Sequence, residues 1–139
     1  MRYPLIVWFA IILHLCWGGM ILVDRATLNT TPIHTISQVF DGWEYIVIVL
    51  FVVAGAAIAG MMLPKIGPTI RLALMLPQQG LLVITAVGAL TAMIGGHYAD
   101  GVPRSHLFIA ADQLPAVLVA VLHTIAILAM HRAGGPWKR

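Results

Sequence analysis

The sequence predicts an all-α integral membrane protein, a four-helix up-down bundle with N-terminus and C-terminus cytoplasmic. Three observations predict it. Of 139 residues, 60% are hydrophobic and 9% charged, against about 25% charged in a soluble domain. A soluble chain of this size has too little interior to hide so much apolar surface. The apolar residues also gather into four continuous runs, each near the ~20 residues that cross a hydrocarbon core. Finally, the charges sort by side. Arg2, Lys65, Arg71, Arg132, Lys138 and Arg139 fall on one side, and Arg25 and Arg104 on the other. All the acidic residues (Asp24, Asp41, Glu44, Asp100 and Asp112) lie on or near that second side. Lys and Arg in short loops stay inside, so six against two sets the orientation.

The first span covers about residues 4–23. Arg2 followed by an apolar run begins as a signal peptide does, but no small-x-small cleavage site follows Val23. A retained anchor is expected. The single cysteine, Cys16, lies in this run; it cannot form an internal disulfide, and His14-Leu15 before it lacks the small residues of a lipoprotein site. In the outer loop, Thr31 is expected to cap a short helix over about residues 32–41, with Pro32 first. Ile33, Ile36 and Phe40 share one face of it, and Trp43 and Tyr45 follow as aromatic anchors. This helix is expected to lie in the outer interface. Asn29-Thr30-Thr31 fits a glycosylation sequon, which matters only in a eukaryotic secretory pathway.

The second span covers about 45–63, the third 72–96 and the fourth 107–130. The runs are continuously apolar and not alternating, so helices satisfy the backbone in lipid. Pro64, Gly67 and Pro68 break the chain between the second and third spans. Residues 1–139 read as one transmembrane domain. Small residues mark contact faces: Gly55, Ala59 and Gly60 on the second span, and Gly88, Ala92 and Gly96 on the third. Such faces serve packing within one bundle or association between chains.

Ionisable and amide side chains inside lipid are costly, and each is a candidate site. Here they are His14, Gln78, Gln79, Asp112 and His123. His14 is twelve residues after Arg2, His123 nine before Arg132, and Gln78 seven after Arg71. All three therefore lie about 10–18 Å from the inner boundary. An up-down bundle makes the first and fourth spans neighbours, so one polar layer is expected. Pro77 leaves the Ala73 carbonyl without its helical partner, and Gln78 or Gln79 is expected to meet it. Asp112 and His123, eleven residues apart, share a face with Ala116 and Val119 between them. A small polar-studded groove is expected there, against Gln78 and Thr85 of the third span.

Three readings of these residues stay open. They form a hydrogen-bonded network that fixes the bundle; or Asp112 and His123 form a proton or ion path; or His14 and His123 ligate haem b, whose axial ligand is commonly histidine. His97 and His106 flank the outer loop and are a further candidate for a metal ion, although no dedicated metal site is expected.

The segment His14-Leu15-Cys16-Trp17-Gly18-Gly19 resembles the first helix of small four-helix membrane proteins related to copper-resistance permeases and membrane protoporphyrinogen oxidases. In those, a histidine is followed by tryptophan and glycine. The resemblance covers these six residues and implies a haem or copper role for His14. The layout is also similar to that of small four-span membrane proteins of actinobacteria and their phages, holin-like ones included. That similarity implies insertion in a bacterial plasma membrane and carries no catalytic residue.

No Gly-rich phosphate loop, HExxH motif or cysteine pair occurs, and the loops are short; no autonomous enzyme is expected. No nucleic-acid module is visible. The expected partners are the lipid bilayer and either copies of this chain, as a homo-oligomer, or a larger membrane complex. The leading expectation is a protein acting by assembly in the bilayer, holin-like or an accessory membrane subunit. The alternatives are a haem-binding electron-transfer or membrane-anchor subunit, and a proton-coupled transporter component.

Overall fold

The computed structural model of the chain describes residues 2–30, 33–98 and 100–136. Five α-helices follow in order: α1 (Tyr3–Val23), α2 (Ile33–Val39), α3 (Trp43–Met62), α4 (Pro68–Gly95) and α5 (His106–Ala133), with a 3-10 turn at Arg25–Asn29. All but α2 are long and apolar enough to cross a membrane. Their limits match the expected spans to within a few residues, except that α4 starts four residues earlier, at Pro68. Proline suits the first helical position, so the residue that ends the loop also opens the helix.

The spanning helices form a ring in which α1 touches α3 and α5, and α4 touches α3 and α5. The two chain ends and the α3–α4 loop share one end of the bundle. Tyr3 and Pro4 lie beside Ala133 and Pro136, and the His131 Nδ1–H donates to the Pro68 carbonyl at 3.2 Å. This end carries Arg2, Lys65, Arg71 and Arg132; the opposite end carries all the acidic residues. They are called the basic and acidic ends below.

Three apolar clusters stack along the axis. Val7, Ile11, Ala54, Met61, Met75 and Ile127 pack toward the basic end. Ala10, Leu82, Ala86 and Ala120 fill the middle. Ile21, Ile46, Val47, Leu50 and Leu81 join Ile33 and Ile36 of α2.

Helix α2 differs from expectation. Ile33 and Ile36 are 3% and 0% exposed, so its apolar face is buried in protein and not in lipid. Gly88 on α4 explains the seat: a Cβ there would collide with the Thr35 side chain, so the missing side chain is what lets α2 approach. The expected cap, Thr31, and the expected first residue, Pro32, lie outside the described residues.

The other small residues divide. Gly60 is buried against the Arg71 carbonyl, Leu74 and Met75 of α4. Ala92 is buried, and Gly96 ends α4 with φ 73° beneath the His106 ring. Gly55, expected in a contact face with Ala59, meets open space. The helical period turns Ala57 and Gly60 inward and leaves Gly55 outside. Gly18 seats the Phe51 ring of α3 against α1.

Candidate functional site

Within the bundle, α4 and α5 bring Gln78, Gln79, His123 and Thr124 together. Consecutive residues on a helix differ by about 100°, so the two glutamines straddle the face toward α5 and reach His123 from either side. The His123 Nδ1 lies 2.6 Å from Gln79 Oε1, and Nε2 lies 2.8 Å from Gln78 Oε1. The Gln79 amide is fixed by its other end: its NH2 donates to Thr124 Oγ1 at 2.6 Å and faces the Ala120 carbonyl at 3.4 Å. The Thr124 hydroxyl donates in turn to the Ala120 carbonyl at 2.9 Å. The Gln79 oxygen is thereby left to accept from the His123 Nδ1–H.

This pairing corrects one expectation. Neither glutamine turns back to the Ala73 carbonyl freed by Pro77, because α5 presents better partners across the interface. Thr124 was missed. Its only signal was adjacency to His123, and a helical threonine ordinarily bonds its own i−4 carbonyl, which it also does here.

His14 of α1 is fully buried. Both its ring nitrogens lack partners, as does the Gln78 NH2. Helix α1 packs on α5, and both histidine side chains are buried inside the bundle. The Trp17 ring packs on His14 with centroids 5.6 Å apart, which gives the His14–Trp17–Gly18 pattern a physical meaning: a ring packed on the histidine, and a glycine that admits Phe51. Each unpartnered buried polar atom costs about 1–3 kcal/mol, so His14 is not explained as structural glue.

Haem ligation by both histidines needs a free nitrogen on each ring. His123 has both nitrogens engaged with glutamines, so the pair does not fit haem as bis-histidine ligands; His14 alone keeps open ligand atoms. Among the described residues, no three His, Cys, Asp or Glu side chains gather into a metal-binding group.

Asp112 stands apart. It is exposed near the acidic end, where its carboxylate accepts from the Tyr98 hydroxyl and from the Gln113 amide at 2.9 Å. The expected groove between α4 and α5 exists as a cavity of about 190 Å³, with Phe9, Leu13 and Trp17 of α1 completing its wall. It is apolar and not polar-studded. Its Thr85 hydroxyl is bonded to the Leu82 carbonyl, and Ala116 and Val119 offer no polar side chain. An apolar cavity of this kind stays dry, so no hydrogen-bonded route links Asp112 to His123 among the described residues.

The loop beyond it is held electrostatically. Arg104 pairs with Asp100 at 2.8 Å and lies over the Tyr98 ring. The guanidinium holds the Asp100 carboxyl down at about 2, and the carboxylate raises Arg104 in return. Burial, then the bond to Asp112, pushes the Tyr98 hydroxyl up. The His97 and His106 Nδ1 atoms each meet a backbone carbonyl, of Tyr98 and Met93, at 3.0 Å. His106 thus caps the end of α4, where a positive or N–H-bearing group suits the last carbonyls. No family model, curated protein or solved structure matches this chain.

Proposed function

We propose that this is a small polytopic membrane protein acting as a proton-coupled accessory subunit, with His123 as the group that takes and releases the proton. The observation that carries the reading is the pair of glutamine oxygens on the two nitrogens of one buried ring. A neutral imidazole has one N–H and one lone pair; the charged ring has two N–H groups. Two oxygen acceptors match the charged form. Turning the Gln78 amide over places its NH2, otherwise unpartnered, on Nε2 and matches the neutral form. One side-chain rotation therefore serves both proton states without moving a helix. Facing the cluster from α1 is His14; on α4, Arg71 lies seven residues before Gln78 with its guanidinium turned to carbonyls of α3. The charge pattern supports an orientation with the basic end inside.

The test is ring 15N NMR of the full chain in lipid nanodiscs between about pH 4 and 8, the range in which a histidine changes charge. Both His123 nitrogens are expected to titrate together, and Gln78→Leu to abolish the doubly protonated form. A ring that keeps one neutral tautomer throughout overturns the proposal. A Soret band in the purified protein would instead assign His14 as a haem ligand.

A second reading is assembly of copies in the bilayer, holin-like. It is favoured by Gly55, an exposed notch among the lipid-facing Ile48, Val52 and Met62. Gly55→Ile should then abolish crosslinked oligomers in membranes, and unchanged crosslinking removes that reading.

A further inference from the structure

Toward the acidic end, α2, one face of α4 and the loop after α4 enclose a cleft of about 350 Å³, lined by His34, Thr35, Gln38, Thr91, His97 and Gly101 among others. Its floor is a single face of α4, where Gly88, Thr91, Ala92 and Gly95 recur at helical spacing. The His97 ring folds back onto this floor, with Nε2 3.4 Å from where a Gly95 Cβ would stand. The helix ends at Gly95, so the cleft lies beside its last turns, at the level of lipid headgroups and not of acyl chains.

The hydrogen bonds already made in the wall fix what it can offer. The His97 Nδ1–H donates to the Tyr98 carbonyl at 3.0 Å, which leaves Nε2 as a lone-pair acceptor. The Ser37 hydroxyl donates to the His34 carbonyl at 2.6 Å and turns its oxygen toward the His34 Nδ1 at 3.4 Å. His34 therefore carries its proton on Nδ1, and its Nε2 accepts from the Gln38 NH2 at 3.2 Å. The Gln38 Oε1 is left as a second acceptor. The Thr91 hydroxyl donates to the Val87 carbonyl at 2.8 Å, so toward a ligand it accepts as well. A wall of acceptors selects a ligand that brings donors.

Charge selects among such ligands. All the carboxylates of the chain sit at this end against Arg25 and Arg104. Arg104 is paired with Asp100, and Arg25 lies over the Trp43 ring. Neither they nor any lysine lines the cleft among the described residues. The surplus negative charge draws a cation. No three metal-ligating side chains gather there among the described residues, so the cation is one held by hydrogen bonds.

We propose that this cleft binds a primary ammonium group, carried on an ethanolamine lipid headgroup or on a free amine. A primary ammonium has three N–H donors and no acceptor, and the His97 Nε2, Gln38 Oε1 and Thr91 Oγ1 are the acceptors that meet it. Hydrogen bonds from an ionised donor are the stronger kind. The volume accommodates an aminoethyl group with its neighbouring atoms. The inference rests on this cleft alone and stands whether or not His123 titrates.

The experiment uses the full chain in neutral detergent and follows lipid adducts by native mass spectrometry and melting temperature. Phosphatidylethanolamine is compared with its N-methyl, N,N-dimethyl and trimethyl forms, the last being phosphatidylcholine. The series keeps the positive charge and removes the N–H donors one at a time. Adducts are expected to weaken along it, with phosphatidylcholine at least about tenfold below phosphatidylethanolamine. Ethanolamine hydrochloride is titrated in parallel against choline chloride at equal ionic strength. Ethanolamine that raises the melting temperature and displaces the lipid identifies a free amine as the ligand; a lipid preference with no response to ethanolamine identifies the headgroup. Gln38→Leu and His97→Leu each remove one acceptor, and both side chains are exposed, so the double variant should melt as the parent does without lipid and lose the preference. Equal binding across the methyl series with no response to ethanolamine overturns the proposal, and this arm needs no variant. A folded double variant that keeps the parent's preference overturns it too.

Discussion

His14 and Gly88 show how single positions act here. His14 is buried with two unpartnered nitrogens, so its replacement by an apolar residue of similar size removes a penalty. His14→Leu is expected to raise stability by about 1–3 kcal/mol in unfolding from detergent micelles, while disturbing the titration of His123. A loss of stability would mean that the imidazole is satisfied by a bound group. At Gly88 the sign reverses, because Thr35 occupies the space of a Cβ. Gly88→Ala should cost about 1–3 kcal/mol as overpacking, and much of that cost should vanish in a Thr35→Ala background, measured as a double-mutant cycle. Neither outcome follows from sequence. His14 was legible as a buried polar residue, because it interrupts an apolar run. That its nitrogens lack partners depends on helix rotation, which no periodicity fixes.

At the scale of elements, the four spans were legible because lipid allows few solutions: a run of apolar residues must be a helix, and proline and glycine mark its ends. The docking of α2 was not. Ile33, Ile36 and Phe40 declare a face, but a face suits lipid or protein equally, and only Gly88, fifty-five positions after Ile33, decides it. The Gln79–Thr124 bond was hidden likewise, since it joins residues forty-five apart. The loop between α4 and α5 is held by Asp100 and Arg104. The Asp100 carboxyl falls from 3.8 to about 2 on folding, so this contribution is present above 3.8 and is lost as pH drops through about 2. The protection factors of the Gly101 and Val102 amides, from which the intrinsic pH dependence of exchange is divided out, should therefore fall on acidification across that window. Asp100→Asn should show the lower protection at neutral pH with no further fall in acid.

For the whole molecule, the segregation of charge predicts an orientation with the basic end inside, through the positive-inside rule. In a Cys16→Ser background, Lys65→Cys should react with a membrane-impermeant maleimide only after the inner face is opened, and Asp100→Cys in intact cells. Labelling of both from one side would break the up-down arrangement; the reverse pattern would invert the orientation. The candidate site was legible at this scale as a layer, since depths count off from the terminal charges. Its division into a joined Gln78–Gln79–His123 group, a neighbouring His14 and a remote Asp112 was not, because the groove between Asp112 and His123 is walled by apolar side chains, those of a third helix included.

The unequal lengths of the helices have a consequence for the surrounding lipid. Helices α1 and α3 have 21 and 20 residues, and α4 and α5 have 28 each. At about 1.5 Å per residue the first pair is about 30 Å long and the second about 42 Å, against a hydrocarbon core of about 30 Å. One side of the bundle matches the bilayer and the other overshoots it. With the basic ends level, the overshoot forms a shoulder at the acidic end, and the 3-10 turn and α2 sit on that step with Thr35 against the flank of α4. The protein therefore presents two different thicknesses to its annular lipids, and the α4–α5 side suits a thicker membrane than the α1–α3 side.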